Sequence, residues 1–145
     1  MKVPPGQHPP AGREFLDSIV GAWTRAEHDA DHSAVMHLLA DDVTLVVVGL
    51  DQATLRGRKA VAAWHREQTA NVLHEKDLPI QRVHGWDSVL DDVMRESRVM
   101  GSLFGHRGKG QRVRYRLRRL FEISAGRVTR LTVWPDHGAL ERQLK

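Results

Sequence analysis

Phe121-Glu122-Ile123-Ser124-Ala125-Gly126-Arg127-Val128-Thr129-Arg130-Leu131-Thr132-Val133-Trp134-Pro135-Asp136-His137-Gly138-Ala139-Leu140-Glu141-Arg142-Gln143-Leu144 decides the fold. Apolar and polar residues alternate on either side of Ala125-Gly126, the pattern of two strands joined by a glycine hairpin. Pro135 cannot donate to a ladder and ends the second strand. Asp136 is placed to cap a short final helix carrying Leu140 and Leu144.

Working outward, Gln111–Ile123, Val89–Phe104 and Leu78–His84 also read as strands, separated by Gly85 and the Gly105–Gly110 loop. Upstream, Arg13 to about Glu27 spaces Phe15, Ile19, Ala22, Trp23 and Ala26 at helical intervals. A second short helix carries Val35, Met36, Leu38 and Leu39, and the β-branched run Val43–Val48 is a strand. Arg58 to about Leu73 is a third helix, with Val61, Ala62, Trp64 and Val72 available for burial. Three N-terminal helices followed by a curved, mostly antiparallel sheet is an α+β architecture. The expected domains are a flexible proline-rich arm over 1–12 and a single domain over 13–145.

The chain has 145 residues, 41% of them hydrophobic, and no cysteine, so disulfide and thiolate chemistry are excluded. No apolar run approaches the ~20 residues that cross a bilayer, and the prolines at 4, 5, 9 and 10 leave no apolar signal core. A cytoplasmic protein without membrane association is expected. The net charge of +4 raises the question of nucleic acid, since seven of the 22 basic residues lie between Arg107 and Arg119. No recognised nucleic-acid motif accompanies them and stacking aromatics are sparse, which argues against that partner.

The C-terminal block, with Ala40-Asp41-Asp42-Val43, Gly57-Arg58-Lys59-Ala60-Val61 and Gln143-Leu144, resembles the SnoaL-like polyketide cyclases of the nuclear-transport-factor-two-like group. The resemblance covers about residues 13 to 144. It implies a cone-shaped α+β barrel enclosing an apolar pocket, a hydrophobic small-molecule ligand, and a homodimer formed through the convex sheet face. No cofactor and no metal are expected. In the cyclases a catalytic carboxylate precedes the Trp-Pro-Asp, and here that residue is Val133; the family's inward histidine falls at Arg119. The ketosteroid isomerase base falls at Val47 and its helix-one tyrosine near Trp23. The arginine and two aspartates of limonene-epoxide hydrolases fall at Ser97, Val99 and Val133. The expectation is therefore a pocket with one arginine among apolar groups and none of the usual carboxylates.

Strand alternation puts Val113, Tyr115, Leu117, Arg119 and Phe121 on one face with Leu131 and Val133. Arg119 and Tyr115 are the candidate catalytic groups, with Asp136 and His65 behind them. Leu45, Val47, Ser97, Val99, Leu117 and Val133 are candidate lining residues, and Trp23 and Trp64 candidate flat walls. Each has a plainer alternative. Arg119 could form an ion pair, for instance with Asp136. Tyr115, Trp23 and Trp64 could be core, His65 could face solvent at the pocket mouth, and Asp136 could be a helix cap. The function implied is a cofactor-independent cyclase, isomerase or lyase acting on a polyketide-like or other polycyclic oxygenated substrate. The alternative is a non-catalytic binding or accessory protein for a hydrophobic metabolite.

Two further patterns invite attention. Glu27-His28-Asp29-Ala30-Asp31-His32 has metal-ligand residue types, with His28 and His32 four apart, but it reads as a solvated break between helices. Arg112, Arg114, Arg116 and Arg118 form a basic row on the convex face, with Glu96 and Glu122 as expected cross-strand partners.

Overall fold

The computed structural model describes residues 10–51 and 54–145, with side chains from Gly12 onward. Four helices and eight strands follow in the order α1 (Pro10–Asp29), α2 (His32–Leu38), β1 (Leu39–Val47), β2 (Thr54–Arg56), α3 (Arg58–Ala70), β3 (Val72–His84), β4 (Ser88–Val99), β5 (Ser102–Leu103), β6 (His106–Arg107), β7 (Gln111–Ser124), β8 (Arg127–Pro135) and α4 (His137–Gln143). The main sheet has the order β2-β1-β8-β7-β4-β3, and β5-β6 form a separate hairpin. Every pairing in it is antiparallel except β1 with β8. The result is a curled sheet whose concave face takes the helices, a cone-shaped α+β fold.

Several boundaries differ from the sequence expectation. The arm over 1–9 lies outside the described residues, whereas residues 10–12 belong to the first turn of α1. That helix also continues through Glu27 and His28, which therefore sit on its last turn and not in a solvated break. Its buried face is Leu16, Ile19, Val20, Trp23 and Ala26, while Phe15 is exposed. Spacing alone could not distinguish Phe15 from Leu16, which flank the same stripe. β3 begins at Val72, six residues before the expected start, because bulges at His74/Lys76 and Pro79/Gln81 interrupt its alternation and hide its period.

The closing hairpin has the expected register. Phe121 lies opposite Leu131 and Arg119 opposite Val133 on β7 and β8, and β1 places Val47 beside Val133. β4 places Asp91 opposite Arg119. Residues directly opposite share a face, so Asp91, Arg119, Val133 and Val47 lie across the concave side. Asp136 caps α4, its side chain accepting from the Ala139 backbone amide at 3.0 Å.

The basic row of β7 does face away from the helices, but its partners differ from the expected ones. Arg116 binds Asp92 at 2.7 and 3.0 Å and Arg112 binds Glu75 at 2.9 Å, while Glu96 stands opposite Arg114 and Glu122 approaches Arg130 at 3.7 Å.

Candidate functional site

On the concave face, charge is concentrated at one end. Asp77 of β3 receives Arg95 of β4 through Nε at 2.7 Å and Nη2 at 2.9 Å, and Arg95 Nη2 also donates to Glu27 Oε1 of α1 at 3.0 Å. The same Glu27 oxygen accepts from Arg119 Nη1 of β7. Arg119 Nη2 reaches Asp91 at 2.9 Å and Thr24 at 3.2 Å, and Asp91 in turn binds Arg82 at 2.8 and 3.0 Å. Arg82 contacts Asp17 at 3.2 Å, which accepts from His84 at 2.7 Å. The row Asp77–Arg95–Glu27–Arg119–Asp91–Arg82–Asp17 thus alternates in sign and ties α1 to three strands. Arg95 and Arg119 are each only 1% exposed.

This corrects the expectation of one arginine among apolar groups. A second arginine and three carboxylates, Glu27, Asp77 and Asp91, occupy the same side, and the partners of Arg119 are Glu27 and Asp91, not Asp136. Burial by itself would raise the Glu27 pKa, but the Arg95 and Arg119 guanidiniums overcome it and hold the carboxyl well below the usual range. Asp77 is depressed in the same way, with Arg95 and His28 opposing the effect of burial. A carboxylate stabilised this strongly as an anion is a poor proton acceptor near neutrality.

The remaining interior polar groups are neutral ones. His65 of α3 is buried and not at a solvent-facing mouth; its edge meets Trp23 at 5.5 Å between ring centroids, and its Nδ1 lies 3.3 Å from His32 Nδ1. Burial pushes its pKa down to about 4. His74 is buried against Ser97, with Nδ1 2.9 Å from the hydroxyl, and burial together with Arg95 lowers it to about 3. Tyr115 is fully buried, and burial pushes its hydroxyl up to about 12. That hydroxyl lies beside Ser97 without the geometry of a formed hydrogen bond.

Among the described residues four buried polar atoms lack a partner: Trp23 Nε1, His65 Nε2, Tyr115 Oη and Arg119 Nε. Each such group costs about 1–3 kcal/mol when left unsatisfied. Aromatic contacts link the first, second and fourth of them, and Tyr115 belongs to a separate aromatic group. Trp23 meets both His65 and Phe121, the Arg119 guanidinium lies 5.4 Å from the Phe121 centroid, and Tyr115 meets Phe104, which packs on Trp64. Tyr115 and Arg119 are four residues apart on one strand, so their backbones are about 13 Å apart. Leu45, Val47, Val99, Leu117 and Val133 are buried in the core cluster, with Trp64 half-buried at its edge.

Asp136, occupied as a cap, stands apart from this group. His28 and His32 do not share a helical face, because α1 ends between them: His28 turns to Asp77 at 3.5 Å and His32 to His65. Sequence reasoning missed Glu27, Asp77, Asp91 and Arg95. For Asp91 and Arg95 a usable signal existed, since they alternate with Val89, Val93, Ser97 and Val99 on β4.

The chain's fold is that of several solved structures. An LEH-like epoxide hydrolase from M. tuberculosis superposes with a TM-score of 0.73 at 21% identity, covering 93% of this chain and 92% of that one. A proposed polyketide cyclase from Xanthomonas campestris gives 0.75 at 19% identity, covering 92% and 99%. A proposed isomerase from Rhodopseudomonas palustris gives 0.76 at 19% identity, covering 89% and 94%. At such identities the shared property is the nuclear-transport-factor-two-like fold. No protein-family model matches the chain, and no curated protein matches it.

Two outcomes follow. Glu27→Gln leaves two buried guanidiniums short of charge and should destabilise the protein by about 3–5 kcal/mol, read as a drop in the urea midpoint; an unchanged midpoint would show the row to be dispensable. Stability should also fall on acidification in two stages. His65 and His74 take up protons in the unfolded chain below about pH 6.5 but in the folded one only near 4 and 3, so the first loss begins between pH 6.5 and 4. The depressed carboxyls of Glu27 and Asp77 add a second loss below about pH 4.5. Urea midpoints that stay level from pH 7 to 4 would contradict this assignment.

Proposed function

We propose that the protein is a cofactor-independent enzyme of the isomerase or cyclase type, acting on an apolar, oxygen-bearing, polycyclic small molecule held between α1, α3 and the concave sheet. The observation that carries this reading is the set of four unpartnered buried polar atoms in the interior, beside the ionic row and among apolar core residues. Trp23 Nε1–H, Arg119 Nε–H and the Tyr115 hydroxyl are donors that suit carbonyl or hydroxyl oxygens of a ligand. With its high pKa Tyr115 remains protonated at neutral pH and polarises an oxygen by hydrogen bonding. His65, held neutral by burial, is too weak a base to keep an added proton near neutrality, but it can accept one at Nε2 while giving one up at Nδ1. Leu45, Val47, Val99, Leu117 and Val133 supply apolar walls, with Ser97 beside Tyr115. Enclosure and orientation by such walls lower the barrier to a ring closure or shift.

A second reading is supported by the arginine-bound state of Glu27, Asp77 and Asp91. With these three carboxylates engaged by arginine and so poor at proton abstraction, the chain would hold a hydrophobic metabolite without converting it. Native mass spectrometry of protein purified from its own host should reveal a bound compound of the stated kind, and Tyr115→Phe should weaken its retention by about tenfold, the equivalent of one good hydrogen bond. If the compound is turned over, His65→Ala should lower the rate by about 10²–10⁴-fold with binding kept. Conversion unaffected by either change would refute these roles, and binding without conversion would favour the carrier.

We also propose a homodimer through the convex face. Leu73 and Val83 are exposed there, and Leu78, Leu90, Met94 and Trp134 are only partly covered, around the Arg116–Asp92 pair. Sedimentation should show two chains per particle, and Met94→Glu should yield monomers; a monomeric wild type at micromolar concentration would remove the interface.

A further inference from the structure

Glu27-His28-Asp29-Ala30-Asp31-His32 ends on a residue for which the ionic row has no use. His32 stands at the start of α2, half-buried, with its Nδ1 3.3 Å from His65 Nδ1 and the two rings nearly perpendicular at 81°. Two lone pairs or two N–H groups facing one another at that distance repel, so a stable contact requires one proton between the two nitrogens. If His32 supplies it, His65 carries its own proton on Nε2. If His65 supplies it, its Nε2 is a bare lone pair. That Nε2 is the unpartnered interior atom, in a residue 1% exposed and packed on Trp23. The outer side of His32 is different. It lines a surface cleft of about 490 Å³ between α2 and α3, together with Ser33, Met36, Lys59 and Arg66.

We propose that His32 and His65 form a proton relay between the buried interior at His65 Nε2 and solvent in the α2–α3 cleft. For outward transfer, a proton from a group in the interior bonds to His65 Nε2. The proton on His65 Nδ1 crosses to His32 Nδ1, and the proton on His32 Nε2 leaves to water. One N–H bond forms and one breaks on each ring, both rings are neutral before and after, and one proton has moved from core to solvent. This removes the need for a lasting imidazolium at His65, which burial disfavours. After one passage both rings hold the opposite tautomer, so the relay resets by carrying a proton inward. It therefore suits chemistry in which a proton is withdrawn and later returned, with none gained or lost overall. That use rests on the enzymatic reading above; the relay itself does not. The charges of Glu27 of α1 and Asp31 at the α2 cap favour protonation of His65, against its burial, and Lys59 and Arg66 of α3 stand at the cleft. His32 is a positioning residue here, acting through His65.

Nitrogen-15 NMR of the full chain labelled at histidine, with no ligand added, tests the relay. In the wild type at pH 7.5 one of the two rings should be the Nδ1–H tautomer, with its proton shared with the other ring. His32→Phe should slow exchange of the His65 ring proton with water by at least about tenfold, while His37→Ala, at an exposed site on the same helix, should leave it unchanged. Finding both rings as Nε2–H tautomers in the wild type, or unaltered exchange in His32→Phe, would overturn the proposal. Where the variant fails to fold, the wild-type tautomers still test the proposal, since two Nε2–H rings exclude the relay. An interior that binds no metabolite would count against the proposed function and leave this measurement intact.

Discussion

Glu27 lying between Arg95 and Arg119 is the contact on which the arrangement of the interior depends. Two guanidiniums buried on the concave face of a sheet each carry a desolvation cost of several kcal/mol, and they repel one another. A single carboxylate oxygen from α1 meets both. The helix is thereby fixed in depth and in rotation, because Asp17, Thr24, Glu27 and His28 all contact sheet residues from one side of it. Trp23 lies one turn before Glu27 and is carried by the same constraint onto Phe121 and His65. The ionic end of the interior thus sets the position of the aromatic end.

That arrangement divides the polar groups into two kinds. Carboxylates bound by arginine are stabilised as anions, and their value lies in holding α1 in register with β3, β4 and β7. The groups that remain available are three uncharged ones, an indole, a phenol and an imidazole, together with the one N–H of the charged Arg119 guanidinium that the carboxylates do not use. In apolar surroundings the three neutral dipoles act more strongly than they would in water and require no counter-ion, while the charge of Arg119 is already met by Glu27 and Asp91. On the function proposed above, the chemistry is polarisation by hydrogen-bond donors, not attack by a charged base.

How much of this was legible in the sequence follows from the range of each interaction. The β7–β8 register, Arg119 opposite Val133 and the Asp136 cap are consequences of short-range alternation and of proline and glycine placement, all contained in one hairpin and its exit. The ionic row is not local: Glu27 meets Arg119 across 92 residues and Arg95 across 68. Periodicity assigns a face to a residue, not a partner on another element. A polar residue on an inward face is then read as an exception, and Glu27 near a helix end as solvated. The burial of His65 is hidden for the same reason, because a histidine next to a tryptophan on a helix can lie on either side of the buried stripe, and its partner, His32, lies 33 residues earlier.

The break after α1 shows why these two histidines matter together. Had the helix continued, His28 and His32 would stack on one face, four residues apart. Instead Ala30 takes a left-handed backbone with φ of 54°, which costs an alanine about 1–2 kcal/mol. The Asp31 amide closes the turn on the Ala26 carbonyl at 3.0 Å, and the Asp31 side chain caps α2. The turn sends His28 toward Asp77 and His32 toward His65, so that the two histidines serve the ionic row and the imidazole pair separately. Glycine at position 30 would make that turn with less local cost, offset in part by its greater freedom in the unfolded chain. The contacts on both sides of this alanine, Glu27 with its arginines and His32 with His65, together with the Asp31 bond to Ala26, offset the cost of its conformation.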